Sequence, residues 1–302
     1  GKSGKGSTSC CQRYSLKTFD YCLSLTKALG YHSMKSFLST PVFLLLTVNT
    51  VVEGYNPQLK PSAISRRDAF ATAALTLGSL LSIAPRPVLA EEEDVLTPLY
   101  FGVGCFWHIQ HEFVEGERKI LGRNDHQLTS RTGYAGGTAT DKEGRVCYHN
   151  FQGVADYGKL GHGEVVGMTI PQSKIGAFAD LYFSLFDPRT KDRVDPMDRG
   201  AEYRSLLGLP GGTGHPSYPA VEEAAQKYGF KLLAGKGNDP DTLGKQTVYV
   251  YDTKQFPFYQ AEVYHQYHDD FLSPPYGKAY NNLVALALED GRIQGTGCPD
   301  RI

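Results

Sequence analysis

The spacing of apolar and polar positions separates a carboxy-terminal region of regularly alternating elements from an amino-terminal region without them. Leu99 to Val103 is a short strand-like run, and after Gly104-Cys105-Phe106-Trp107 the pattern turns helical through Val114, which places Cys105 at a helix start. Thr132 to Gly137 reads as a strand end entering a turn, and Gly163 to Ile170 as a strand of β-branched and apolar residues. Ser173 is placed to cap the next helix, in which Ile175, Phe178, Tyr182 and Leu185 fall at three- and four-residue steps until Asp187-Pro188 ends it. A further helix runs from Pro219 to Tyr228, with Val221, Ala224, Ala225 and Tyr228 on one face, a Glu223–Lys227 pair, and Gly229 just past its end. Val248 to Tyr251 is another strand. Strands alternating with helices, without internal repeats, indicate an α+β or α/β sheet with helices packed on it.

Upstream, the apolar runs are too short or too interrupted to span a membrane. The earliest methionine is Met34, so residues 1–33 are expected to be an upstream extension that is not native. Lys35, the apolar run Val42 to Val52 and the small-residue exit at Gly54 make 34–54 a signal peptide. The basic stretch Tyr55 to Arg67 reads as a transit segment. Ser65-Arg66-Arg67-Asp68-Ala69-Phe70, the weakly apolar run after it and Val88-Leu89-Ala90 resemble a twin-arginine export signal, so 55–90 is expected to be removed. Such layering resembles the presequences of algae with secondary plastids and implies the thylakoid lumen; the alternative is a bacterial periplasm. Residues 91–302 are then a single domain, with 281–302 as a mobile coil tail.

A formal net charge of −1, with basic residues dispersed among acidic ones, sets nucleic acid aside as a partner. The scattered histidines show no metal-ligand spacing. Cys105 is more informative. A thiol reacts as its thiolate, and the first turn of a helix offers that anion unpaired N–H groups and the positive end of the dipole.

The region from about Leu99 to Tyr276 resembles the A-type peptide-methionine sulfoxide reductases through four motifs in order. They are Gly104 to Trp107, Gly133 to Gly137, Gly161-His162-Gly163-Glu164-Val165-Val166, and Asp198 to Ser205, with Phe258 to Glu262 and His265-Gln266 following. The resemblance implies an α+β fold, a two-layer sandwich of a mixed sheet with helices on a ferredoxin-like core, ending in a long coil tail. It implies thiol-dependent reduction of the S epimer of methionine sulfoxide, free or in proteins, through a sulfenic acid on Cys105. No bound cofactor or metal is expected, an external thioredoxin-like dithiol supplies electrons, and the protein acts as a monomer.

Attack on a sulfoxide needs a proton donor, because the oxygen leaves poorly unless protonated. The resemblance assigns this to Glu164, with burial expected to raise its pKa. It implies that Tyr203 bonds the sulfoxide oxygen, that Asp198 orients the donor network, and that Phe106, Trp107 and Tyr134 bind substrate, the aromatic pair against its methyl group. His162 reads as structural.

The chain also departs from the family. Resolving cysteines commonly follow Pro-x-Gly-x, but here Pro275-Tyr276-Gly277-Lys278 is followed by Ala279. Cys298 in its glycine-bearing tail is the first resolving candidate and Cys147 the second. His108 stands where relatives usually have Gly, Gln110 where many have Glu, and Glu143 replaces a tyrosine. Stretches near Cys147 to Lys159 and Pro210 to Ser217 look like insertions. Two alternatives follow: a degenerate lumenal thiol protein that senses oxidants or binds oxidised methionine, and a cysteine hydrolase pairing Cys105 with His162 or His265.

Overall fold

A computed structural model of the protein describes residues 94–299, so the segments expected over 1–33, 34–54 and 55–90 lie outside the described residues. The chain order is β1 (Leu96–Gly102), α1 (Phe106–Leu121), β2 (Arg131–Ala135), β3 (Gly163–Pro171), α2 (Ile175–Ser184), β4 (Leu206–Leu209), α3 (Tyr218–Tyr228), β5 (Lys231–Ala234), β6 (Thr247–Asp252) and β7 (Tyr259–Gln260), then the short helices α4 (Lys278–Asn281) and α5 (Leu283–Glu289). One seven-stranded sheet has the order β5-β6-β4-β1-β3-β2-β7. Its middle strands, β4-β1-β3-β2, are antiparallel neighbours, and β6 and β5 extend it in parallel beyond β4. With α1 and α2 as the crossovers, this is the split β-α-β arrangement of a ferredoxin-like core inside a mixed α+β sheet.

The two-residue period of β1 sorts its side chains between two cores. Leu99 and Phe101 point to the helical layer, and Tyr100 to the opposite face with Val165, Leu206 and Tyr251. Phe101 stacks 5.1 Å from Phe113 of α1 and packs 5.0 Å from Tyr182 of α2, whose hydroxyl donates to the Gly102 carbonyl at 3.0 Å. Each such ring contributes about 2–3 kcal/mol of burial, so the helical stripes hold both crossovers on one face. Loops carrying Phe256 and Phe258 cover the other face.

Three expectations about local structure change. Ser173 does not cap α2: it lies in a 3-10 turn, bonded through its N–H and hydroxyl to Asp94, and the helix starts at Ile175 after an uncapped Lys174. Lys227 bonds Asp180 of α2 at 2.6 Å, so the charge that was expected to brace α3 internally ties it to its neighbour. The mobile tail expected from 281 is folded in its described part. Leu283, Ala287 and Ile293 are buried against Val114, Leu128 and Tyr267, and apolar burial of that kind outweighs the freedom of a coil.

Candidate active site

The sharp passage from β1 into α1 creates the site. Gly104 turns the chain at φ +68°, its N–H donates to the Tyr203 carbonyl at 3.2 Å, and a Cβ there would lie 2.6 Å from Asp198 Oδ2. Cys105 is therefore the cap residue of α1, extended at φ −63° and ψ 123°, and its own side chain does not cap. Two carboxylates hold the first N–H groups of the helix instead. Asp198 Oδ2 accepts from Cys105 N–H at 2.8 Å, and Glu164 Oε2 accepts from Phe106 N–H at 2.9 Å. The helix N-terminus thus gathers a half-buried thiol outside any disulfide and two acidic groups.

Asp198 is 2 % exposed, and burial, reinforced by Asp195, raises its pKa to about 7 against the pull of the Cys105 N–H and Arg193. Its Oδ1 is buried with no hydrogen-bond partner among the described residues. Near neutrality this carboxyl is partly protonated, which eases its repulsion of a nearby thiolate. Tyr203 is buried in a 3-10 turn, Ala201–Tyr203, beside the same helix end. Arg193 donates to its carbonyl, fixing the turn. Arg204, the next residue, is fully buried. Its guanidinium bonds the carbonyls of Gly136 at 2.9 Å, Gly161 at 2.9 Å and Ala201 at 2.7 Å, so it clamps both ends of the long excursion between β2 and β3 to the Asp198–Tyr203 loop.

Tyr134 sits opposite Glu164 in the β2–β3 register. Its hydroxyl donates to Glu262 Oε2 at 2.8 Å, and Glu262 Oε1 accepts from Tyr148 N–H at 2.8 Å. Phe106 and Trp107 are buried rather than open. Trp107 stacks 4.1 Å from His268, meets the edge of Phe271 at 5.3 Å and lies 5.7 Å from His265, while Phe106 lies 5.3 Å from His265. The cavity that opens on Cys105 is small, about 30 Å³, and is lined by Cys105, His108, Asp198, Asp270, Phe271 and neighbours. The structure thus brings Cys105, Phe106, Glu164, Asp198 and Tyr203 together at one helix end. It sets Trp107 and Tyr134 in the packed layer beside them.

The two resolving candidates are found bonded to each other. Cys147 and Cys298 form a disulfide across 151 residues, and Cys105 lies outside it. The Gln260 side chain donates to the Gln294 carbonyl at 2.7 Å and Arg145 to the Gly297 carbonyl at 3.0 Å, which brings the tail to the wall beside Glu262. Cys147, Glu262 and Cys298 place ligand atoms within 4.8 Å of one another, but the two sulfurs are spent on their mutual bond.

The histidines of the hydrolase alternative fit it poorly. His162 Nδ1 accepts from Gly137 N–H at 3.2 Å and its Nε2 meets the Ala139 carbonyl at 2.8 Å, so both ring nitrogens serve the backbone. Burial lowers its pKa to about 4, and burial with His268 nearby lowers that of His265 to about 3. A base that weak does not take a thiol proton near neutrality.

Sequence reasoning missed Tyr157, His149 and the role of Glu262. Glu262 lay inside a recognised segment, and the other two lie in the stretch identified as an insertion, whose aromatic and charged content was the available signal.

No protein-family model matches the chain. It is 29 % identical over 189 residues to the peptide methionine sulfoxide reductase MsrA of Clavibacter michiganensis, covering 61 % of this chain and 86 % of that protein. With the MsrA of a Methylobacterium strain it shares 30 % identity over 177 residues, covering 58 % of this chain and 67 % of that protein. Among solved structures, reduced Mxr1 of Saccharomyces cerevisiae overlaps at 20 % identity and a TM-score of 0.36, over 56 % of this chain and 81 % of that one. On its sequence relatives, this chain belongs to the MsrA family of peptide methionine sulfoxide reductases.

Proposed function

We propose that the protein reduces methionine sulfoxide, free or in peptides, that it takes the S epimer, and that Cys105 is the attacking thiol. The observation that carries this reading is the cap of α1, where the Cys105 thiol shares one helix end with Glu164 and Asp198. The names of its relatives, peptide methionine sulfoxide reductases, point the same way. The Cys105 thiolate attacks the sulfoxide sulfur while Glu164 passes a proton to the oxygen. The attack forms a transient bond between the Cys105 and substrate sulfurs; as it and the substrate's sulfur–oxygen bond break, the oxygen passes to Cys105 as a sulfenic acid and methionine leaves with the two electrons the thiol has lost. Asp198 and Tyr203 stabilise the charge developing on the oxygen. Phe106 and Trp107 receive the methyl group once the covering segment around His268 and Phe271 moves.

Resolution runs through Cys147 and Cys298. With the pair reduced, one thiol attacks the sulfenic sulfur and releases water. The other then attacks that mixed disulfide, which frees Cys105 and leaves a Cys147–Cys298 bond for an external thioredoxin-like dithiol to reduce. Support comes from the pairing itself and from Cys147 preceding Tyr148, whose ring is 6.4 Å from that of Phe106. The chemistry calls for no metal or bound organic cofactor. The twin-arginine segment supports a thylakoid-lumen location, with a bacterial periplasm as the alternative.

A second reading, a redox sensor or oxidised-methionine binder, is favoured by one observation: Cys147 and Cys298 are buried and bonded to each other, so neither offers a thiol to Cys105 in this state. Steady-state reduction of peptides carrying each sulfoxide epimer, driven by a thioredoxin-type reductant, separates the two. Many turnovers on the S epimer, lost in Cys105→Ser, are expected of the reductase. A halt after one methionine per protein identifies the sensor.

A further inference from the structure

The excursion between Cys147 and the Gly161 turn delivers Tyr157 to the Glu164 carboxyl. It is fully buried, and its hydroxyl donates to Glu164 Oε1 at 3.1 Å, the carboxyl oxygen opposite the one that accepts from Phe106 N–H. The ring lies between Tyr134, 4.7 Å away at 19°, and Tyr148, 5.6 Å away at 22°. Backbone bonds fix the segment on both sides. Cys147 N–H donates to Ala155 at 2.7 Å, Tyr157 N–H to Cys147 at 2.8 Å, and His162 N–H to Tyr157 at 2.9 Å. Ala155 is held at φ +48°, a left-handed conformation that costs an alanine about 1–2 kcal/mol and therefore needs those bonds. Behind the ring, 4.7 Å away, His149 bridges Asp156 at 2.9 Å and Glu202 at 3.3 Å.

We propose that Tyr157 is a positioning residue for the reductase chemistry: its hydroxyl holds Oε1 of Glu164 and sets how readily that carboxyl releases its proton to the sulfoxide. The proposal rests on Glu164 being the proton donor. A hydrogen bond donated to a carboxylate favours the charged form, so Tyr157 makes Glu164 the stronger acid at the moment of transfer. Burial and the nearby Glu164 push the Tyr157 hydroxyl well above its ordinary range, so it stays a neutral donor throughout. A phenylalanine fills the same space between Tyr134 and Tyr148, so packing alone does not call for the hydroxyl. The other titratable groups around the pair are Tyr148, Tyr203 and Glu202, with His149 behind the ring, Asp198 and Cys105 at the helix cap and Glu262 beyond Tyr134. His149 stays protonated to about pH 9, burial opposing and its two carboxylate partners prevailing, so it adds no titration in the working range.

The test follows the Glu164 carboxyl directly by carbon-13 NMR in the full chain, assigned through Glu164→Gln, alongside the pH dependence of kcat/KM for the sulfoxide peptide. Tyr157→Phe is expected to raise the Glu164 midpoint by roughly one pH unit, the alkaline limb of kcat/KM moving with it. Placing 3-fluorotyrosine at 157, a shape-conserving and more acidic donor, shifts both the other way, and it alone decides the matter if Tyr157→Phe does not fold. A midpoint that stays put in a folded variant overturns the proposal whatever the activity. If the unmodified protein shows no turnover, the reductase reading has failed, and the NMR midpoint still reports on Tyr157.

Discussion

The floor of the site and its wall are built by different means. The floor comes from β1, α1 and β3, and its geometry is set by backbone: Gly104 turns, Cys105 caps, and Glu164 and Asp198 fill the first N–H groups of the helix. The wall comes from the excursion after Cys147 and from the tail, and side chains hold it: Tyr157 on Glu164, Glu262 on Tyr134, and Cys147 on Cys298. The contrast teaches that the reacting groups are gathered on the backbone of one helix end, while their proton affinity and recycling are set by side-chain contacts around it.

The floor breaks most completely at Glu164. Glu164→Gln keeps the bond to Phe106 N–H but removes the proton, and kcat is expected to fall about 10²- to 10⁴-fold with little change in thermal stability. Undiminished turnover in this variant would remove Glu164 from the chemistry. At the join of floor and wall, Arg204→Met leaves the carbonyls of Gly136, Gly161 and Ala201 without their donor, and denaturant unfolding should show a loss of about 3–5 kcal/mol. Cys298→Ser cuts the wall alone. Stability should drop by about 2–4 kcal/mol, and turnover should fall with a thioredoxin-type reductant while persisting with dithiothreitol.

The smallest effect sharpens the electrostatics of the floor. Asp198 holds its proton to about pH 7 in the folded protein against 3.8 for an ordinary aspartate. The native state therefore binds more protons than the unfolded state between those limits. The stability this group confers is complete below about pH 4 and is lost as pH rises toward 7. Asp198→Asn should flatten that slope and stand on the order of 2 kcal/mol above the unmodified protein at pH 8, measured by urea midpoints across pH. Parallel curves for the two proteins would show that Asp198 ionises normally.

Legibility in the sequence follows the same division. The strand-to-helix start at Cys105, the stripe Ile175, Phe178 and Tyr182, and the strand bearing Glu164 are local patterns, and each took the expected place. The short strands β4, β5 and β7 left no periodic signal because none is long enough for alternation to register. The Cys147–Cys298 pairing was not readable, since proximity across 151 residues depends on where the whole sheet brings the chain. Glycines near 291–297 suggested a loose tail, yet Tyr280, Leu283 and Ala287 lie at helical steps, a signal outweighed in the reading by composition. Trp107 was expected against the substrate's methyl group because its motif was legible, whereas His268 and Phe271, which pack on it, belong to a segment without regular pattern.

The most direct measurement is a single turnover. Fully reduced protein is mixed with one equivalent of an S-epimer methionine sulfoxide peptide, without added reductant, and its products and thiols are resolved by peptide mass spectrometry. The account predicts one methionine formed per protein, two thiols lost, and a Cys147–Cys298 peptide with Cys105 free, none of it in Cys105→Ser. Methionine formation that survives Cys105→Ser, or no methionine at all, would contradict it.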